Sequence, residues 1–218
     1  MPVEPYRTVQ DLPDILAVFP LPGAVLYPRW SLPLNIFEPR YLRMIDDAMS
    51  GHRMIGMIQS AETSSAATPP ELAKVGCAGR ITSYAETDDG RYLISLTGIC
   101  RFSCVAELPV ELPYRQVQPD YRTYAQDLHI PPEPDVPDRE TLVQSLQRYT
   151  KINAMEVDWD AVRNAPMETL INALSAGCPF GTIEKQALLE AFSVADRAEV
   201  LIALLDMDVP GDDSSTLQ

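Results

Sequence analysis

The chain has 218 residues, with 17 Lys plus Arg against 31 Asp plus Glu, and is 46% hydrophobic and 22% charged. That composition describes a folded protein with a real core, and excludes a globally disordered chain or one that needs disulfide staples. The length fits one large or two small domains, and no apolar run approaches the roughly 20 residues that cross a bilayer. The start, Met1-Pro2-Val3-Glu4-Pro5-Tyr6-Arg7, lacks a basic stretch followed by an apolar one, so export is not expected. A cytoplasmic location with no membrane partner is the expectation.

Charge is spread unevenly. Residues 1–118 hold 10 basic and 13 acidic side chains, whereas residues 119–218 hold 7 and 18. Nucleic-acid binders set basic surface against phosphate, because counterion release supplies most of their affinity. No such surface is offered in bulk here, and nucleic acid is disfavoured as a partner.

In chain order, prolines 13, 20, 22, 28, 33 and 39 break the start into short extended pieces, since proline fixes φ and removes a donor. Ile15–Phe19 and Leu32–Ile36 are the strand candidates, joined by a loop carrying Tyr27, Arg29 and Trp30. Pro39 then opens a helix at its first position. Tyr41, Leu42, Ile45, Ala48 and Met49 recur at helical spacing, and Gly51 ends it. Met54–Ile58 is a fully apolar strand, and residues 60–70 form a loop.

Cys77–Ala85 and Tyr92–Gly98 flank Asp88-Asp89-Gly90, a hairpin signal because Asp-Gly tolerates positive φ. Arg101–Glu107 alternates again, with Phe102, Cys104 and Ala106 on one face and Arg101, Ser103 and Glu107 on the other. Tyr114–Val117 is the last strand. Arg80 and Arg91 are expected as solvated strand charges.

Residues 119–137 hold five prolines and little periodicity, and are read as a linker. Beyond it the period turns helical, giving a helical subdomain over 138–208 and a polar acidic tail over 209–218. Leu142, Val143, Leu146 and Tyr149 form one stripe, and Met167, Leu170, Ile171 and Leu174 another. Glu184–Phe192 is a further helix. Val194, Ala198, Leu201, Ile202 and Leu205 form the last stripe, opened by a Ser193–Asp196 capping box. The fold class is therefore α+β: a mostly antiparallel β-barrel over 1–118 with one inserted helix, followed by helices.

Cys77, Cys100, Cys104 and Cys178 contain no C-x-x-C pair, and His52 and His129 stand apart. A structural zinc site wants two such pairs, so neither metal nor cofactor is expected.

The blocks Leu21-Pro22-Gly23-Ala24-Val25-Leu26-Tyr27-Pro28, Leu32-Pro33-Leu34-Asn35-Ile36-Phe37-Glu38-Pro39-Arg40-Tyr41, Asp89-Gly90-Arg91-Tyr92, Gly98 and Arg101-Phe102 stand in order. Together they resemble the N-terminal substrate-binding domain of Lon proteases in its short stand-alone bacterial form. The resemblance runs from Ile15 to Val117, and more weakly through Glu184–Glu190. It implies a PUA-like barrel, a helical subdomain behind it, and recognition of unfolded or degron-bearing polypeptide, with a protease or chaperone as an associated partner.

Catalysis is not expected. The three lysines, Lys74, Lys151 and Lys185, follow Ala73, Thr150 and Glu184, so no Gly-Lys of a P-loop exists. Nor is there a G-x-S-x-G elbow. Phe37, Glu38, Pro39, Arg40 and Tyr41 read as a structural signature: Glu38 favours the helix N-terminus while Phe37 and Tyr41 pack. Tyr27, Arg29 and Trp30 are the peptide-binding candidates, because aromatic and Arg side chains on a stiff loop suit a hot spot. A hydrophobic staple into the barrel is the equal alternative for them. An RNA-associated PUA-like module is the competing function, and the acidic charge argues against it.

Overall fold

The structure, a computed structural model, describes residues 6–60, 70–109, 111–129 and 138–207. Its contacts cluster into two units, residues 1–132 with 179–190, and residues 133–178 with 191–218.

The first unit is built on strands β1 (Leu16–Pro20), β2 (Ser31–Ile36), β3 (Met54–Ser60), β4 (Leu72–Glu86), β5 (Tyr92–Leu108) and β6 (Arg115–Asp120). They form one six-stranded sheet in the order β2-β5-β4-β3-β1-β6, with β5 also paired to β6. Every pairing is antiparallel except β1 with β3, whose register sets Val18 opposite Gly56. The path β5–β4–β3–β1–β6 therefore returns to β5, and β2 lies outside that circuit. With its helices, the class is α+β.

β3 explains its own sequence. Its seven residues are all buried, as a strand paired on both sides and covered on both faces requires, and Met54–Ile58 is continuously apolar for that reason. Helix α1 (Pro39–Ser50) bridges β2 and β3, with Pro39 at its first turn. Tyr41, Met44, Ile45 and Ala48 are its buried stripe; Met44 takes the place expected of Leu42 and Met49. The Tyr41 ring lies 4.2 Å from that of Phe19 on β1.

The hairpin between β4 and β5 turns at Gly90, with φ +77, and the Thr87 amide donates to the Arg91 carbonyl at 2.9 Å. What reads in sequence as two strands is one: β5 runs unbroken from Tyr92 to Leu108. Its first part pairs with β2 and β4, and its last part pairs with β6 after a bulge between Cys104 and Ala106. That bend lets one strand serve two neighbours.

Residues 119–128 are not a linker. β6 extends to Asp120, and a 3₁₀ helix follows at Arg122–Leu128 with Tyr124 and Asp127 buried. Its tyrosines explain why: Tyr121 and Tyr124 are core residues here, and burying two aromatic rings outweighs the ordering cost of a Pro-bounded segment. The boundary placed at Pro131–Pro137, residues 61–69 of the loop read over 60–70 and the tail over 209–218 lie outside the described residues; Ser60 itself ends β3.

Helix α5 (Thr182–Glu190) also belongs to the first unit, although chain order groups it with the helical half. Its Leu188 and Leu189 are buried. Side chains stitch it to β4 and to the segment after β1: Gln186 Nε2 donates to the Val75 carbonyl at 3.1 Å, Lys185 Nζ to the Gly23 carbonyl at 3.0 Å.

The second unit holds α2 (Arg139–Ile152), α3 (Trp159–Asn164), α4 (Met167–Gly177) and α6 (Val194–Met207). The stripes Leu142, Leu146, Tyr149 and Ala198, Leu201, Leu205 are buried. Ser193 and Asp196 form the capping box, each bonding the other's backbone amide at 2.9–3.0 Å. Helix α3 carries too little apolar periodicity to see in the sequence; its start is Asp158, whose carboxylate accepts from the Asp160 and Ala161 amides at 3.0 Å. Arg139, at the start of α2, donates to the Val162 and Ala165 carbonyls at the end of α3, satisfying acceptors that the helix leaves open. No helix among the described residues is long and apolar enough to cross a membrane.

Candidate functional site

The loop candidates sit on a tight turn. The Trp30 amide donates to the Tyr27 carbonyl at 3.1 Å, and Arg29 between them has φ +62. Pro28 before a positive φ is type II geometry, in which glycine is the usual third residue. The turn is clamped to β5: the Arg29 amide donates to the Gly98 carbonyl at 2.8 Å, and the Gly98 amide to the Trp30 carbonyl at 2.9 Å. Gly98 has to be glycine, because a Cβ there would overlap the Tyr27 carbonyl oxygen.

This clamp sends the three side chains different ways. Tyr27 is fully buried, so its ring is a staple in the core and offers no surface to a client. Arg29 is exposed, but its guanidinium donates to the Asp127 carbonyl at 2.7 Å. Trp30 is half-buried and is the one of the two rings left with accessible area.

The signature block divides as well. Glu38 precedes the first turn of α1 and its carboxylate accepts from Arg40 Nε at 2.9 Å, with no side-chain cap to the helix. The Arg40 guanidinium lies 4.5 Å over the Tyr41 ring, and Tyr41 packs. Phe37 does not: it is 61% exposed, because the chain must leave the end of β2 before Pro39 can start the helix, and the side chain at that corner points away from the core.

Beneath the turn lies a buried ion pair. Arg101 Nε and Nη2 each donate to an Asp127 carboxylate oxygen at 2.8 Å, and the Arg101 amide donates to the same group at 3.0 Å. Arg101 Nη1 reaches the Leu189 carbonyl of α5 at 3.0 Å, and the guanidinium lies 4.4 Å over the Tyr124 ring. Arg101 was expected on the polar face of its strand and is among the most buried side chains of the chain. With the 3₁₀ helix and α5 covering it, both faces of β5 are interior there. Beside the pair, burial raises the Cys100 thiol to about 12, which keeps it an inert core residue. Arg80, read as a solvated charge, donates to the Tyr6 hydroxyl at 2.7 Å; Arg91 pairs with Asp89 at 2.9 Å on the surface.

A groove of about 400 Å³ runs between α5 and the end of β3 with the start of β4. Its walls are Leu72 and Ala73 on β4 and Ile183 and Ala187 on α5, and Ile183 is 82% exposed. Gln59, buried at the end of the apolar strand β3, forms its floor. That amide is fully used: Oε1 accepts from the Gly23 amide at 2.9 Å, and Nε2 donates to the Thr182 carbonyl at 3.0 Å and to Gln186 Oε1 at 2.9 Å. Glu71 and Glu190 stand at the rim. Sequence reading missed this groove because its halves are more than 100 positions apart. The one local signal was a glutamine ending a run of five apolar residues. Among the described residues, no three His, Cys, Asp or Glu side chains gather as a metal site requires.

Comparison with known proteins agrees with the resemblance read from the sequence. The chain is similar to the Lon protease of Dictyoglomus thermophilum, 25% identical over 202 residues, covering 87% of this chain and 24% of the protease. It is 28% identical over 210 residues to that of Cytophaga hutchinsonii, covering 92% and 25%. It thus spans about a quarter of the length of these relatives. In fold it is similar to a Lon N-terminal domain protein from Xanthomonas campestris, with TM-score 0.58 at 20% identity over 87% of this chain and 97% of that one. The N-terminal domain of the Mycobacterium avium complex Lon protease gives TM-score 0.57 at 16% identity over 88% and 98%. A family model for the ATP-dependent protease La (LON) substrate-binding domain matches residues 15–207, taking in both units, and the chain belongs to that family.

Proposed function

We propose that these residues are a non-catalytic module that binds exposed or unfolded polypeptide segments, acting as an adaptor in protein quality control alongside a protease or chaperone. The observation that carries the reading is the groove of the first unit. Its walls are apolar, Gln59, the more deeply buried of its two buried polar residues beside Ser60, is satisfied internally, and Ile183 presents a large aliphatic side chain to solvent. Burying that side chain against a client is worth about 1.5–3 kcal/mol, and covering Gln59 orphans no hydrogen bond. Trp30 supplies a second contact in this reading; Tyr27 no longer does, and Arg29 serves mainly to hold the turn. The closed circuit of strand pairings supports reading the sheet as the PUA-like barrel the resemblance implies.

Affinity is expected to be roughly micromolar, because a disordered client loses ordering entropy when it binds. The test is fluorescence anisotropy with two labelled probes, a carboxymethylated, permanently unfolded lactalbumin and a single-stranded RNA. Binding of the unfolded protein alone is the expected result. Binding of RNA alone would replace this reading with the RNA-associated one, against which the net charge of −14 argues.

A further inference from the structure

Resting on the polypeptide-binding reading, we propose that the groove between β4 and α5 selects client segments in which a large apolar side chain is flanked by lysine or arginine. The shape sets the first half of that specificity. A cleft of about 400 Å³ lies near the small end of ligand clefts, roughly 300–1,000 Å³, so it takes a few side chains of an extended segment. Ile183 and Ala187 stand one helical turn apart on α5, facing Leu72 and Ala73 across the cleft. An aliphatic or aromatic side chain entering there meets carbon on both sides, while the floor polar groups of Gln59 are already paired.

Charge sets the second half. Glu71 and Glu190 stand at the rim, and among the described residues no cationic side chain lines the cleft. The cation on the same helix, Lys185, is turned away to the Gly23 carbonyl at 3.0 Å. Gln186 Nε2 donates to Glu190 Oε1 at 2.7 Å, which fixes that carboxylate at the mouth and leaves its second oxygen to a client. Opposite charge at a rim steers encounter and rejects like-charged partners more than it adds raw affinity. The groove therefore discriminates basic-flanked from acidic-flanked apolar segments, and salt erodes the difference.

The experiment uses the whole chain and three labelled twelve-residue peptides sharing a Leu-Phe-Leu centre, flanked by lysines, by serines or by glutamates. Anisotropy titrations at low salt should rank them lysine, serine, glutamate, with the outer two separated by about tenfold or more. The Glu71→Gln, Glu190→Gln double variant should bring that ratio to within about twofold while the serine-flanked peptide keeps its affinity. Ile183→Ser, a change at an exposed position that leaves the fold intact, should weaken all three. Equal binding of the three peptides, with Ile183→Ser still weakening each, would overturn the charge selection and leave the polypeptide-binding reading standing. Unchanged binding in Ile183→Ser would remove the groove as the site. No binding of any peptide would overturn both.

Discussion

The guanidinium of Arg101 lies along both carboxylate oxygens of Asp127, at 2.8 Å from each, with the two side chains only 2% and 6% exposed. The pair joins β5 to the 3₁₀ helix, and through the Leu189 carbonyl to α5, so it fixes the wall of the groove. Removing one partner strands the other charge in the interior. Arg101→Leu should therefore cost about 3–5 kcal/mol of stability, read as a lower urea midpoint. The double change Arg101→Leu, Asp127→Leu should recover part of it. A loss under about 1 kcal/mol for the single variant would show that the pair is not structural.

The turn at Tyr27–Trp30 predicts opposite outcomes for two small changes. Gly98→Ala places a methyl group on the Tyr27 carbonyl, and backbone cannot give way as a flexible side chain would. A loss of about 3 kcal/mol is expected, at the upper end for overpacking. Arg29→Gly relieves a positive φ costing about 1–2 kcal/mol but forfeits the hydrogen bond to Asp127, worth about 1 kcal/mol. Its net effect should lie within about 1 kcal/mol of zero. Thermal unfolding of both variants checks the pair.

Tyr27 and Trp30, neighbours on one turn, should separate cleanly. Tyr27→Ala empties a fully buried site and should cost about 3 kcal/mol or more. Trp30→Ala, at a half-buried ring, should cost less than half as much and weaken binding of the unfolded probe. Equal destabilisation by both would place Trp30 in the core as well.

Stability should fall as the solution is acidified. Burial, with the Arg80 guanidinium adding to it, holds the His52 imidazole below its ordinary 6.5. The neutral ring is also what the backbone uses, because Nδ1 accepts from the Met54 amide at 3.1 Å. A pKa lower in the folded chain than in the unfolded one adds stability above about pH 6.5, and that stability is lost as pH falls through the folded value. Arg115 holds the Glu107 carboxyl below 4.5 in the same sense, extending the loss into stronger acid. Urea midpoints should fall between about pH 7 and about pH 5, and fall less steeply in His52→Asn. Parallel slopes in the two proteins would exclude His52 as a source.

Local chemistry was legible and long-range chemistry was not. Proline before a 3.6-residue stripe announced α1, Asp-Gly the hairpin, and Ser193 with Asp196 the start of α6, because each depends on residues a few positions apart. Arg101 was misplaced because strand alternation identifies the inner face only when the other face meets water. Nothing near it in sequence says that Tyr124 and Leu189 cover it. Tyr27 shows the same limit: the prolines marked a stiff turn, but its ring direction depends on Gly98, about 70 positions on. Helix α5 reads correctly as a helix and incorrectly as a neighbour of the helices around it, since its partners Val75, Gln59 and Gly23 lie far upstream. The groove exists only once those partners meet.

The first unit is proposed to hold unfolded polypeptide at the β4–α5 groove. Hydrogen–deuterium exchange of the chain, with and without saturating carboxymethylated lactalbumin, tests it most directly. Slowed exchange over residues 71–75 and 182–190, and little change over α2, α4 and α6, is the predicted result. Protection confined to those three helices, or none anywhere at saturation, would contradict it.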